Sequence, residues 1–273
     1  MKKKRKEIPK LRQDSYLIDT HCHLDMQPYE KDLNEVLQRA KRFNIHTILA
    51  IGIDKKSSQK AVQLACQHEM VFATVGVHPH DVDNISNSTL DFIADLALNN
   101  PSKVVGYGEI GLDYMKNYSS PDNQRNHFQL QLILAKELNL PIIIHDRDAH
   151  EDTLAILKRH SPFEDGGVMH CFSGNLELAK QIIDLGLHIS IPGIVTFNKS
   201  YELQNVATKI PLSTMLLETD GPFLAPEPWR GKRNEPCYIL YTAEKIAHLR
   251  NIDINHLATQ TSKNAQSLFG LNP

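Results

Sequence analysis

His21 and His23, separated by Cys22, are the first chemically pointed feature of this 273-residue chain. Side chains on extended backbone alternate with a period of two, so His-x-His aims both imidazoles to the same side. Two neutral imidazoles so placed can chelate one metal ion. Four more residues of ligand type follow at wide intervals: Glu109, His145, His170 and Asp220. Four histidines and two carboxylates suffice for a two-metal centre with a shared carboxylate and open positions for water. The chemistry of such a centre is the activation of water for hydrolysis. It requires a fold that brings residue 21 next to residue 220.

The chain alternates short apolar runs with longer helical patterns. Strands are predicted at 17–19, 47–51, 71–77, 104–108, 142–145, 167–170, 188–191 and 215–218. Helices are predicted at 33–43, 57–68, 89–98, 124–138, 152–159, 176–185 and 201–208, with two more at 239–249 and 255–269 closing the chain. The strands are apolar without strict alternation, as expected when both faces are buried. Eight such units predict an α/β fold, a single (β/α)8 TIM barrel with an extra C-terminal helix. Asn139 at a helix end, Pro141 before the fifth strand and Gly186 after the sixth helix agree with these boundaries. Side chains at the C-terminal ends of barrel strands converge on one face, where chemistry sits. The ligand types fall at the ends of strands one, four, five, six and eight, which turns six weak signals into one constellation.

Other residues take their meaning from this register. Asp19, two residues before His21, is expected to orient that ligand. Glu218, two residues before Asp220, reads as a buried supporting carboxylate. Asp113 and Arg147 lie near the rim and are equally readable as structural salt-bridge partners. Arg230, Lys232 and Arg233 bracket Gly231 and read either as a phosphate clamp or as a solvated loop. Phe172 and Trp229 are candidates to stack on a base, or simply to pack.

The net charge of −2 offers no global attraction to nucleic acid, so such a substrate would need a local basic patch. The basic run at residues 2–6 reads as a frayed tail, or as a weak nucleic-acid-binding arm. Residues 1–15 are taken as a flexible basic extension and 16–273 as one domain. The four cysteines form no C-x-x-C pair and fit a reducing compartment. No apolar run long enough to span a bilayer occurs, and the basic leader runs into Glu7-Ile8-Pro9-Lys10 rather than an apolar stretch. A cytoplasmic protein with no membrane partner is expected.

His-x-His on the first strand, His on the fifth and sixth and Asp on the eighth is also the pattern of the amidohydrolase superfamily, and with Glu109 on the fourth this chain resembles its carboxylate-bridged branch. More specifically, the chain resembles the TatD family of metal-dependent deoxyribonucleases. The resemblance rests on Ile18-Asp19-Thr20-His21-Cys22-His23-Leu24, Gly76-Val77-His78-Pro79-His80 and Gly108-Glu109-Ile110-Gly111-Leu112-Asp113-Tyr114. It continues through Pro141-Ile142-Ile143-Ile144-His145-Asp146-Arg147, His170-Cys171-Phe172-Ser173-Gly174 and Glu218-Thr219-Asp220-Gly221-Pro222-Phe223-Leu224. It implies one metal on His21, His23, Glu109 and Asp220 and a second on Glu109, His145 and His170, with Mg or Mn expected and Zn or Ni compatible. It implies that His78 and His80 contact substrate phosphate or support the ligands, and that Glu109 and Asp220 carry the catalysis, Asp220 orienting the attacking water. The implied activity is hydrolysis of DNA phosphodiesters, as a 3′ to 5′ exonuclease on single strands or 3′ ends, in DNA repair or the degradation of damaged DNA. A metal-dependent amidohydrolase or esterase acting on a small molecule is the alternative on the same centre. A nucleic-acid-binding scaffold with a structural metal is the non-enzyme alternative.

Overall fold

The computed structural model describes residues 7–271. Among them, eight strands run parallel in sequence order around one sheet: β1 (Leu17–Cys22), β2 (Ile45–Ile51), β3 (Val71–Val75), β4 (Val104–Asp113), β5 (Ile142–Arg147), β6 (Gly167–Met169), β7 (His188–Ile191) and β8 (Met215–Leu217). Helices α1 (Leu33–Arg42), α2 (Lys55–Gln67), α3 (Asn87–Asn99), α4 (Pro121–Glu137), α5 (His150–His160), α6 (Leu176–Asp184) and α7 (Tyr201–Lys209) connect them, and α8 (Ile239–Arg250) and α9 (Ile254–Phe269) follow β8. This is the predicted (β/α)8 barrel with its extra C-terminal helix. Local chemistry sets the helix ends. The Asp54 carboxylate accepts from the Ser57 amide at 2.6 Å to start α2, and Ser120 followed by Pro121 starts α4. Gly186, at φ +83°, takes the left-handed position after α6.

Two apolar clusters build the core. The larger lies between the sheet and the helices. The smaller gathers Ile18, Leu49, Ile51, Ile143, Val168 and Leu216 from five strands against Ala265, Phe269 and Leu271. The extra helix therefore closes the end of the barrel opposite the site. His145 and His170 stand two residues beyond Ile143 and Val168, so they share that inner face by simple alternation. His21 stands three residues beyond Ile18, and simple alternation would turn it away. A register shift between Asp19 and Cys22 inserts one residue into β1 and restores His21 to the inner face.

Between β8 and β1 only an isolated bridge, Cys22 to Gly221, joins the strand edges. The seam is closed by hydrogen bonds from His23 N to Gly221 O (2.7 Å), Asp220 N to His21 O (2.9 Å) and Thr20 Oγ1 to Leu217 O (3.0 Å). The buried Asp19 carboxylate accepts from Thr219 N at 2.9 Å and Thr219 Oγ1 at 2.5 Å. Asp19 thus ties β1 to the segment after β8 and also accepts from the His21 amide at 3.3 Å.

Three differences from the predicted elements matter. β4 does not stop before Glu109 but runs on to Asp113, pairing Gly111 with His145 and Asp113 with Arg147. Short 3-10 turns at Gln27–Tyr29, Val82–Asn84, Gly193–Thr196 and Pro236–Tyr238, too brief for periodicity to reveal, all follow strand C-termini. The basic run at residues 2–6 lies outside the described residues, but the rest of the expected flexible extension is docked. Ile8 and Leu11 pack on the core, and Arg12 N donates to Asn255 Oδ1 at 2.7 Å.

The extension of β4 depends on Gly111. A Cβ there would stand 2.0 Å from His145 O, and φ is +142°. Gly111→Ala is expected to destabilise by roughly 2–4 kcal/mol, against about 1 kcal/mol for Gly186→Ala, whose added Cβ meets nothing within 4 Å. Urea unfolding midpoints of the two variants check this; equal losses would contradict the close-approach argument.

Candidate metal centre

Glu109 stands at the centre of the barrel mouth, 3% exposed, and its two oxygens face different partners. Oε2 lies 3.3 Å from His21 Nε2 and 3.8 Å from His23 Nε2. Oε1 lies 2.8 Å from His145 Nδ1, 2.8 Å from His170 Nε2 and 3.4 Å from His78 Nε2. Asp220 Oδ1 closes the first group, 3.4 Å from His23 Nε2 and 3.9 Å from His21 Nε2. All six sequence-derived ligand candidates therefore meet, divided into two sets by one carboxylate. Asp220 has φ +55°, backbone uncommon outside glycine though better tolerated by Asp than by most. It is held there by its own amide on His21 O and by the Phe223 amide on its carbonyl at 2.8 Å.

The electrostatics follow from burial and crowding. Burial alone would raise the Glu109 pKa, but His170, His78 and His21 outweigh it and hold the group well below the usual carboxylate range. Burial first, then His170, pushes His21 down to about 3, so it is neutral and keeps a lone pair for a metal. For His145 and His170 burial pulls down, but carboxylates win: Asp113 and Glu109 raise His145, and Glu109 and Glu218 raise His170. His23 is raised in the same way by Asp220 and Glu109. Among the described residues, both ring nitrogens of His21 are buried without a hydrogen-bond partner. The donor atoms of His21, His23 and Asp220 lie within 4.8 Å of one another. A buried imidazole that is neither donating nor accepting, facing carboxylates, fits a divalent metal better than a hydrogen-bond network. Burial, then nearby carboxylates, raises the Cys22 and Cys171 thiols well above their usual range, so neither offers a thiolate.

Carboxylates behind the imidazoles set their orientation. Asp113 Oδ2 takes His145 Nε2 at 3.2 Å, leaving Nδ1 toward Glu109. Glu218 Oε1 lies 3.6 Å from His170 Nδ1, leaving Nε2 inward, and accepts from the Cys171 amide at 2.6 Å. A ligating histidine characteristically gives its other nitrogen to such a partner, as His145 does to Asp113; His170 Nδ1 faces Glu218 at a separation too long for a hydrogen bond. Asp113 was readable from sequence only as a rim residue; its position two pairs beyond Gly111 in the extended β4 is what sets it behind His145.

His78 and His80 also reach the cluster. The His80 amide donates to His78 Nδ1 at 3.1 Å. Nδ1 is thus an acceptor, which keeps the proton of neutral His78 on Nε2. Burial lowers its pKa to about 4, so His78 presents a neutral N–H donor rather than a metal lone pair. His80 Nε2 bonds Asp113 Oδ2 at 2.8 Å.

The three cations of the basic loop are placed differently from one another. Arg233 is engaged elsewhere, paired with both Asp32 oxygens at 2.7 Å and with Glu235 at 2.8 Å. Arg230 lies over the Phe197 ring, and neither it nor Lys232 lines the cavity. The cavity, about 540 Å³, is lined by the cluster and, as its one Lys or Arg among the described residues, Arg147. Phe172 is 2% exposed and Trp229 stacks on Tyr238, so both pack rather than present a face to the cavity.

Because His145 and His170 hold protons more tightly than free imidazole, a metal must displace them, and affinity must climb as pH rises. Calorimetric titration with Mn²⁺ between pH ~6 and ~8 is expected to show this rise, and a flat profile would count against it. Asp113→Asn, which removes the charge behind His145, is expected to weaken Mn²⁺ binding about 10–100-fold without loss of fold.

The chain matches the family model described as TatD related DNase over residues 18–270. It is 41% identical over 256 residues to the uncharacterized metal-dependent hydrolase YabD of Bacillus subtilis (strain 168), across 94% of this chain and 100% of that protein. It is 38% identical over 261 residues to the 3'-5' ssDNA/RNA exonuclease TatD of Erwinia amylovora, across 93% and 100%. The crystal structure of YjjV, a TatD homolog from Escherichia coli K12, superposes with a TM-score of 0.89 at 31% identity, covering 94% of this chain and 98% of that one. With barrel, buried cluster and relatives in agreement from one end to the other, the chain belongs to the TatD-related DNase family and is a metal-dependent hydrolase.

Proposed function

We propose that this chain is a divalent-metal-dependent deoxyribonuclease, a 3′ to 5′ exonuclease acting on single-stranded DNA. The observation that carries the reading is the division of Glu109: one oxygen toward His21 and His23, the other toward His145 and His170. Two ions would be held by His21, His23, Glu109 and Asp220 and by Glu109, His145 and His170. Mg or Mn is the expectation, and the mixed N/O donors also suit Zn or Ni. When bound, such ions would lower the pKa of a coordinated water toward neutrality and would neutralise charge on phosphate oxygens.

The chain's own groups supply the rest. Asp220, at the edge of the cluster and on the cavity wall, orients the attacking water and accepts its proton. His78 donates a hydrogen bond from Nε2–H to a phosphate oxygen, with His80 beside it. Arg147, whose guanidinium has no ion pair among the described residues, meets the negative charge of the incoming strand at the cavity. Arg230 and Lys232 contact phosphates farther along the strand. The name of the Erwinia relative covers both ssDNA and RNA, and preference for DNA is part of this proposal. Degradation of damaged DNA in the cytoplasm is the proposed setting; among the described residues no helix is long and apolar enough to cross a membrane.

The test is a 5′-labelled single strand incubated with Mg²⁺ or Mn²⁺. A ladder of shortened products is expected, abolished by EDTA and restored by metal. Glu109→Ala and Asp220→Ala are each expected to lower kcat by at least ~10³-fold. Elemental analysis is expected to find about two ions per wild-type chain and fewer in Glu109→Ala. A protein that binds metal yet cleaves no DNA would remove the nuclease reading and bring the small-molecule amidohydrolase or esterase to the front.

A further inference from the structure

Resting on the nuclease reading, we propose that Tyr118 and Phe223 are base-stacking platforms on opposite sides of the metal centre, and that they give the enzyme its selectivity for single strands. Tyr118 lies in the loop between β4 and α4 and is 67% exposed; Phe223 lies in the loop after β8 and is 49% exposed. Each rests edge-on against a histidine of the site: Tyr118 on His80 with centroids 4.8 Å apart, Phe223 on His23 at 6.0 Å. β4 and β8 are four strands apart in an eight-stranded barrel, so the two loops rise from opposite sides of the mouth. Phe223 lines the cavity of about 540 Å³ that holds Glu109, and Tyr118 borders it through His80, which also lines it.

A large aromatic ring left in water forgoes the stabilisation of burial, and one such ring needs no explanation. Two that flank a hydrolytic centre, each positioned by a site histidine, form a matched pair. A nucleobase has an apolar π-face that stacks on such a ring whatever its identity. In a duplex that face is covered by neighbouring bases, whereas a single strand can splay its bases outward. A strand laid across the mouth with its phosphate at Glu109 would place flanking bases toward the two rings. The aromatics suggested by sequence cannot do this: Phe172 is buried and Trp229 is stacked on Tyr238.

The experiment compares wild type, Tyr118→Ala and Phe223→Ala on three substrates: a mixed-sequence single strand, the same strand with abasic 3′-terminal nucleotides, and a blunt duplex. On the normal strand each variant is expected to raise KM about tenfold with kcat within about twofold, and Tyr118→Phe and Phe223→Tyr to recover wild-type KM. On the abasic strand the wild type is expected to fall below either single variant on the normal strand, and both variants to fall to that same level, because the bases that both rings hold are gone. The wild-type preference for single strand over duplex should shrink in both variants. Unchanged KM in the alanine variants of an active wild type overturns the platforms and leaves the nuclease standing. So does an equal further loss on the abasic strand, which would mean that the rings shape the site rather than hold bases. A wild type inactive on every DNA overturns the nuclease reading, and the platforms with it.

Discussion

Glu109 is an anion almost wholly removed from water, a position in which a carboxylate on its own would take up a proton. Five imidazoles reverse that outcome: His21, His23, His78, His145 and His170 all have a ring nitrogen within 4 Å of its oxygens. The charge is kept, and the two oxygens are fixed in two directions. The rest of the site is organised around this one group. The histidines converge because it is charged, and it stays charged because they converge. Losing either side leaves buried polar groups without partners, which is costly in a low-dielectric interior.

A second layer makes the arrangement specific. Asp113 and Glu218 stand behind His145 and His170 and decide which nitrogen faces inward. The His80 amide does the reverse for His78, keeping its proton on the inward nitrogen. Neighbouring imidazoles are thereby set to different tasks, lone pair or donor, by the charged or hydrogen-bonding group that faces their far side. Barrel closure and site construction also use the same contacts. The β1–β8 seam has little ladder of its own and is held through Asp19, Thr219, the Asp220 amide and the His23 amide. Isolated backbone bonds and the side chains of Asp19, Thr20 and Thr219 stand in for a regular ladder where His21, His23 and Asp220 have to meet.

Legibility differed sharply between ligands and rim. His21, His23, Glu109, His145, His170 and Asp220 were readable because each stands at a predicted strand end, and strand ends of a parallel barrel share one face. The continuation of β4 to Asp113 was not readable, because the sequence Gly-Glu-Ile-Gly-Leu-Asp resembles a loop until Gly111 is seen lying against the His145 backbone. The rim was ambiguous for another reason. Arg233 looks like a phosphate ligand in one dimension, but in space Asp32 and Glu235, from separate loops, occupy its donors. Tyr118 and Phe223 carry no periodic or motif signal as ring platforms, and exposure beside a histidine is a property of the folded chain.

By itself the sequence determined the alternation of strand and helix, the closure expected of eight such units, and the six candidate ligand residues that meet at the barrel mouth. These follow from local rules: the period of side chains, capping chemistry, and the handful of side chains that bind metals. Tertiary structure decided how the two oxygens of Glu109 are shared, which nitrogen each histidine turns inward, and which charged groups remain free at the mouth. It also decided, through one inserted residue in β1, that His21 faces the barrel interior at all. Those outcomes depend on distances between segments as much as two hundred residues apart, and no local rule carries that information.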